Sequence, residues 1–367
     1  VNHAGEKITL ADCAKTNTSN PEVRFAELMV RVKGSEEVAS DLSHVGVFLT
    51  LTTPSRMHRS LSKYGVFNPK FDGTTAKQAN EHLCRVGARV RASLLRQKIT
   101  PYGFRVVEPH HDGTPHWHLL LFVPSHKVGD LISTYKKYAL EDNPNEKGAK
   151  KSRFKAEIID PSKGSAAGYV VKYISKNISG KGVGLDNYGN PAIESAERIV
   201  SWARDNRIRQ FQQIGGPSVS IWRELRRLRI ESSNPALESA RCAADNSDWA
   251  GFVKAMGGPN TSKKEQPITL HYDHTRAVDI DTGEYVVIDQ NKYGETSPKT
   301  IKGIAVLGQF VPTRFIVWHA CKKLLPLFNA PAKAIEKARH LSASIASEAR
   351  DTWTCVNNCT EGTYKPS

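Results

Sequence analysis

Glu108–Val123 reads EPHHDGTPHWHLLLFV, and the way this stretch folds decides how the rest of the chain is arranged. Phe104–Glu108 is a β-branched and aromatic run, and Pro109, Asp112, Gly113 and Pro115 supply turn signals before a second apolar run begins at His116, the form of a β-hairpin. Alternate side chains of a strand share a face, so His116 and His118 point one way while Trp117, Leu119 and Leu121 point the other. The two imidazoles are spaced about 7 Å along the strand, close enough to converge on one ion, and the antiparallel partner strand can bring Glu108 to the same place. Two imidazoles and one carboxylate with open coordination positions make a divalent-metal site. A His-x-His pair is common by chance in a chain with 13 histidines, so the assignment needs a second feature.

That feature lies downstream, in SAAGYVVKYISKNISG. The spacing predicts a helix from Ser165 to Ile178, closed by Gly180. Tyr169, Lys172, Tyr173 and Lys176 form one stripe of it, and Ala167, Val170, Val171, Ile174 and Ile178 form the opposite, buried one. A solvated face with snorkelling lysines has the same pattern. Beside a two-histidine-plus-acid site, however, tyrosines one turn apart are two nucleophiles that one metal can serve in turn, and the lysines can neutralise phosphate oxygens.

These residues resemble the HUH endonucleases, specifically the two-tyrosine replication initiators of the phage gene A protein type. The resemblance rests on His116-Trp117-His118 as the histidine-hydrophobe-histidine motif, Tyr169-x-x-x-Tyr173 as the paired tyrosines and Val47–Thr53 (VFLTLTT) as the first motif strand. It extends over GFRVVEPHHDGTPHWH, IRQFQQIGGPSVSIWRELRRL and the later NKYGE, covering most of residues 25–255 and, more weakly, the rest. The resemblance implies an α+β core with a ferredoxin-like, split βαβ antiparallel sheet. It also implies single-stranded DNA nicking and joining at a replication origin, with Mg²⁺ or Mn²⁺ held by Glu108, His116 and His118; His110 and His111 are rival ligands, and Glu108, in the strand before the loop, is less firmly placed than the two histidines. Tyr169 and Tyr173 are then the nucleophiles, supported by Lys172 and Lys176, and a Rep-type host helicase is the implied partner. A relaxase or transposase of the same superfamily and a non-catalytic DNA-binding protein are the alternatives; a hydrolytic metalloenzyme would have no use for the tyrosines.

Composition agrees with a nucleic-acid partner. The 367 residues carry a formal net charge of +15, more than solubility requires, and 39% hydrophobic content suffices for a core. No apolar run approaches a bilayer span, so no membrane segment is expected; the resemblance implies a cytoplasmic protein of a bacterial host cell, and a monomer is expected. Six scattered cysteines point to a reducing compartment without a disulfide framework. The start at Val1, without Met, suggests a fragment of a longer protein.

Outside the motifs, residues 1–20 are expected to be disordered and Pro21–Ser40 to be a helix interrupted at Gly34. Val45–Thr52 reads as a strand. The loop from Pro54 to Gly73 interleaves Arg56, His58, Arg59, Lys63 and Lys70 with Tyr64, Phe67 and Phe71, which suits single-stranded DNA but also an ordinary surface loop. Helices are expected over Thr75–Gln97 and Leu131–Leu140, a mobile loop over Glu141–Arg153, and a strand over Phe154–Asp160. The resulting order of strand, helix, strand, strand, helix, strand is that of the split βαβ arrangement. Further expectations are a flexible loop over Gly180–Asn190 and helices over Ala196–Gln213 and Val219–Ile230. The second of these helices offers Arg223, Arg226 and Arg227 to a DNA backbone; Gln210, Gln212 and Gln213 either read bases or cap a turn. A helical pair follows over Asn234–Met256, then strands within 268–312 and a helix over Ala330–Arg350. The domains expected are an N-terminal tail and helix (1–44), an HUH endonuclease core (45–185), a helical basic region (186–260), and a β-rich appendage with a C-terminal helix (261–367).

Overall fold

A computed structural model describes residues 7–61, 65–178, 192–229, 231–278, 285–288, 290, 295–314, 318–319 and 352–353. The loop expected over 180–190 and the helix expected over 330–350 lie outside the described residues. In chain order the elements are α1 (Leu10–Thr16), α2 (Pro21–Asp41), β1 (His44–Thr52), α3 (Ala76–Arg96), β2 (Tyr102–Pro109), β3 (Pro115–Pro124), α4 (Val128–Leu140), α5 (Ala149–Ser152) and β4 (Phe154–Ile158). There follow α6 (Ala166–Ile178), α7 (Ala192–Asp205), β5 (Phe211–Ile214), α8 (Val219–Leu225), α9 (Pro235–Asp245), α10 (Trp249–Ala255), β6 (Ile268–Asp273), β7 (Thr275–Val278), β8 (Tyr285–Ile288), β9 (Thr300–Val306) and β10 (Gln309–Pro312). The chain divides into two compact units, one of residues 21–217 and 246–266, the other of 1–20, 218–245 and 267–367.

The first unit is built on a five-stranded antiparallel sheet in the order β4-β1-β3-β2-β5. Its centre is decided by alternation. Val47, Leu49 and Leu51 of β1 lie opposite Leu121, Leu119 and Trp117 of β3, and all six sit in one buried cluster with α3 and α4. Helix α3 follows from its sequence: Ala79, Leu83, Val86, Val90 and Leu94 recur at helical spacing on its buried face. Thr75 and Gln78 close a reciprocal capping box at its start. Gly87 sits mid-helix because a Cβ there would lie 2.8 Å from the Trp117 ring. The other face of β1 and β3 carries Phe48, Thr50, His116 and His118, and α2 and α6 belong to that side.

Several local expectations are corrected. Helix α2 runs unbroken through Gly34. The missing side chain makes room for a neighbour, since a Cβ there would approach the Trp249 Cβ to 2.6 Å. Leu10–Thr16, expected as disordered, is a short helix whose N-cap Thr9 accepts from the Asp12 amide. The charged stretch 141–153 is a series of turns ending in α5, folded around the buried Arg153, whose guanidinium donates to the carbonyls of Ala139 (2.8 Å) and Asn143 (3.3 Å).

The helix expected to reach Gln213 stops at Asp205. Arg207 adopts φ 54° and the Ile208 amide closes back on the Ala203 carbonyl at 2.7 Å, a left-handed stop. Phe211–Ile214 then becomes the edge strand β5 against β2. Gln213 is structural: it accepts from Arg31 at 2.6 Å and donates to the Pro217 carbonyl at 2.9 Å.

The second unit contains a three-stranded antiparallel sheet, β10-β9-β6, and a two-stranded ribbon, β7-β8, as the strand-like runs predict. Within it α8 ends at Leu225, short of the expected Ile230. Glu224 is buried there and gathers Arg227 (3.6 Å), Arg314 (2.7 Å) and the Thr313 hydroxyl. No helix among the described residues is long and apolar enough to cross a membrane.

Candidate metal centre

The hairpin register brings the three expected ligands together. Glu108 lies directly opposite His116 in the β2–β3 pairing, and His118 is two residues further along β3 on the same face. The Nε2 atoms of His116 and His118 are 2.9 Å apart, and a Glu108 carboxylate oxygen lies 3.8 Å from the first and 3.5 Å from the second. Two nitrogens bound about 2.1 Å from one cation at a right angle stand about 3 Å apart, so the imidazole pair already has the spacing of adjacent ligands. The carboxylate oxygen needs a shift of about 0.8 Å to reach the same spacing from both nitrogens.

The surroundings prepare each imidazole differently. His118 Nδ1 is 3.1 Å from the Thr50 hydroxyl of β1, its register neighbour. With Nδ1–H donating to Thr50, the Nε2 lone pair faces the site. The ring also packs against Phe48, stacked at 5.6 Å, and against Tyr173, at 4.2 Å. His116 has no side-chain partner of this kind; its Nδ1 is buried, and the Glu108 backbone lies against the ring. Burial, then the neighbouring His110 and His118, push the His116 pKa well below the usual histidine range, which keeps the ring neutral and able to bind a cation.

Behind His116 lies a second layer that the sequence did not reveal. His110 packs its ring 4.1 Å from that of His116 and His58 packs 5.1 Å from His110. Burial and the nearby His58 hold the His110 pKa down to about 4. His58 is 3.2 Å from the Asp112 carboxylate and 3.1 Å from the Thr53 hydroxyl. A carboxylate only accepts, so His58 Nδ1 carries a proton and donates to Asp112. Burial raises the Asp112 pKa, but hydrogen bonds from His58 and Thr114 outweigh it and hold the carboxyl far below its ordinary value.

Tyrosine helix α6 lies on the same side of the sheet. Tyr173 stacks on Phe48 at 5.3 Å and meets the His118 ring; Tyr169 is 6.4 Å from Phe48, ring to ring. Glu36 of α2 accepts from the amides of Ala166 and Ala167, placing a carboxylate at the N-terminus of α6 and tying the two helices together. Burial, followed by the charges of Glu108 and Glu157, raises the Tyr173 pKa. The side chains of Lys172 and Lys176 lie outside the described residues.

The residues expected to bind DNA fare unevenly. Arg59 and Arg226 are exposed. Arg56 is held by Asp72 at 2.6 Å and Asp142 at 2.7 Å, so its charge is committed to fixing its loop. His58 is committed to Asp112 and Thr53. Arg223 is half-buried, and Arg227, 4% exposed, is turned inward to Glu224 and does not face solvent. The sequence reading missed Thr50, Phe48, Glu36 and the His58–Asp112 pair. Alternation along β1 put Phe48 and Thr50 on the face opposite its core leucines, but nothing in the sequence set which of them meets His118.

Fold and site define an α+β protein whose antiparallel sheet carries two histidines and a carboxylate, Glu108, His116 and His118, placed so that they could hold a cation, beside a tyrosine-bearing helix. The chain belongs to the bacteriophage replication gene A protein family, whose family model matches residues 1–181. It is 36% identical to a replication gene A protein of Escherichia phage 186, over 99% of this chain and 50% of that protein. It is 38% identical to a probable replication protein P12 of Pseudoalteromonas phage PM2, over 84% of this chain and 47% of that protein. A probable replication endonuclease from a prophage-like region of Salmonella typhimurium is 32% identical over 98% of this chain and 44% of its own length. The chain thus spans about half the length of the curated relatives it matches. No solved structure matches it.

Proposed function

We propose that this chain is a metal-dependent, HUH-type DNA nicking and joining enzyme that starts rolling-circle replication of a phage or prophage through a tyrosine-linked intermediate. The observation that carries the reading is the contact of Tyr173 with His118, which sets a phenol beside a cation-binding triad. The strand order β4-β1-β3-β2, with α3 and α4 making the two crossovers on one face, supports a ferredoxin-like core of split βαβ type, with β5 an added edge. The names of the relatives support replication as the setting and endonuclease as the activity.

Glu108, His116 and His118 would hold Mg²⁺ or Mn²⁺. When bound, the cation supplies Lewis-acid charge at a phosphate oxygen and offsets the field of Glu108. The chain's residues do the rest. Ionising a free tyrosine at pH 7 costs roughly 4 kcal/mol, and burial with two nearby carboxylates adds to that cost at Tyr173. Proton loss therefore accompanies attack: the Tyr173 oxygen forms the bond to phosphorus, the bond to the 3′-oxygen breaks, and that oxygen takes up a proton. Phe48 and His118 hold the phenol in place, while Glu36 fixes the helix that carries it. The phosphotyrosine keeps the energy of the broken ester, so a 3′-hydroxyl can attack it later and reseal the strand. Tyr169, one turn away, is the second nucleophile.

Tyr169→Phe and Tyr173→Phe singly should each leave some covalent DNA adduct on a denaturing gel, and the double variant none. Adduct surviving in the double variant would assign the nucleophile elsewhere. The DNA substrate also separates this reading from its relatives in chemistry: a transposase would require paired element ends.

A further inference from the structure

Arg105 is a buried cation that the chemistry above does not use. It lies opposite Leu119 in the β2–β3 register, so its side chain belongs to the α3 face of the sheet, away from Glu108, His116 and His118. It is 7% exposed, and its guanidinium stacks on the Trp117 ring, 4.1 Å from the centroid. One terminal nitrogen reaches the Arg209 carbonyl at 3.4 Å, while Nε is buried with no hydrogen-bond partner. No carboxylate among the described residues pairs with it. The charges that do lie near have the same sign. Arg91 Nη1 and the Trp117 ring both border the space over Gly87, where a Cβ would stand 3.9 Å from the first and 2.8 Å from the second. Arg91 and Arg209 are exposed, and both repel the Arg105 charge. Gln210, next in the chain, is buried as well, and its Nε2 has no partner. Cys84 of α3 is exposed, and its thiol lies within reach of Arg105.

A buried charge without a counter-ion is strongly unfavourable. A buried lysine or histidine can give up its proton. Burial, and then the two neighbouring arginines, push the Arg105 pKa down, yet a guanidinium does not deprotonate in proteins, so an anion is what relieves it. A phosphate group suits the position: its oxygens accept from a guanidinium in pairs, and Arg91 and Arg209 can meet the oxygens left over. We infer that Arg105, Arg91 and Arg209 form a phosphate-binding site on the face of the sheet opposite the metal centre. Two sources share this chemistry, a free phosphate and a phosphodiester of DNA passing behind the sheet; the second rests on the nickase reading and the first does not.

The test uses the full chain without added metal and takes Cys84 as a local reporter, its rate of alkylation by iodoacetamide being followed peptide by peptide in the mass spectrometer. A phosphate seated on Arg105 blocks approach to the neighbouring thiol, so inorganic phosphate should slow Cys84 at least about threefold against chloride of equal ionic strength. Arg105→Gln should abolish the effect. Arg91→Gln changes an exposed side chain and so keeps the fold; protection should then require several-fold more phosphate. Arg89→Gln removes the same charge from another side of α3, where Arg89 holds Glu141 at 2.7 Å, and should behave as wild type. Single-stranded and duplex oligonucleotides identify the source. Protection by either one, relieved by nothing but competing inorganic phosphate, assigns the site to DNA backbone; protection by inorganic phosphate alone assigns it to free phosphate. Cys84 reactivity indifferent to phosphate and to DNA, or protection that persists in both Arg105→Gln and Arg91→Gln, would overturn the site. Failure of the nickase reading would show differently, as no covalent adduct once metal is added while phosphate still protects Cys84.

Discussion

Thr50→Val tests whether the strand next to the hairpin prepares the metal centre. The substitution keeps the branched shape that suits β1 and removes one oxygen, the one 3.1 Å from His118 Nδ1. Partners of this kind commonly contribute 10- to 100-fold in metal affinity, about 1.4–2.8 kcal/mol, by fixing ring orientation and tautomer together. Here the two contributions separate. The His118 ring remains packed against Phe48 at 5.6 Å and against Tyr173 at 4.2 Å, so its orientation survives and mainly the tautomer preference is lost. The expected loss is therefore near the lower end, about 10-fold in Kd for Mn²⁺, by calorimetry or by electron paramagnetic resonance of the free ion. Thr50→Ser, which keeps the hydroxyl, should bind within about threefold of wild type. A Thr50→Val protein that binds Mn²⁺ as wild type does would refute the role given to the Thr50–His118 bond.

Other substitutions probe the supports around the site. Glu36→Ala removes the carboxylate from the first turn of α6 and should lower stability to urea by about 0.5–2 kcal/mol. It should also slow adduct formation more than it weakens DNA binding. Arg227→Ala removes a buried side chain beside Glu224, which keeps Arg314 and Thr313, and should destabilise the chain by about 1–3 kcal/mol, without changing the salt dependence of DNA binding per folded molecule. Arg226→Ala should do the reverse, leaving stability intact and lowering the slope of log K against log salt by about one. Asp112→Asn tests a pH window. The folded-state pKa of Asp112 lies far below its unfolded value near 3.9, so its contribution is complete above about pH 4 and fades as pH falls further. Urea midpoints of wild type and variant should differ at pH 7 and converge as pH drops below about 4; a constant gap would contradict the assignment.

Much of the fold was legible because its centre follows simple periodicities. The leucines of β1 and β3 alternate cleanly, α3 has an unbroken helical stripe with a capping box, and the turn residues between Pro109 and Pro115 set the hairpin that pairs Glu108 with His116. The triad is local to one hairpin, so its register could be read from the sequence. Thr50 was not legible because pairing between β1 and β3 crosses a long connection, and no turn sets that register. The same holds for Glu36, which caps a helix about 130 residues away. Gly34 looked like a break because a lone helical glycine ordinarily costs stability, whereas here it admits Trp249. The Phe211–Ile214 strand was missed since FQQI lacks a run of β-branched residues; its conformation depends on the left-handed stop at Arg207 and on the free edge of β2. Arg227 was misplaced because a basic helix was extended through residues that the structure turns inward to a buried glutamate.

In the proposed function the cation site and the tyrosine helix work on one phosphate, and mass spectrometry of the chain after incubation with single-stranded DNA and Mn²⁺ measures that directly. Nucleotide attached to the peptide carrying Tyr169 and Tyr173, lost on chelation and lost in His118→Ala while DNA binding persists, is the result expected. Attachment that is indifferent to chelation and to His118, or that maps to a residue outside α6, would contradict it.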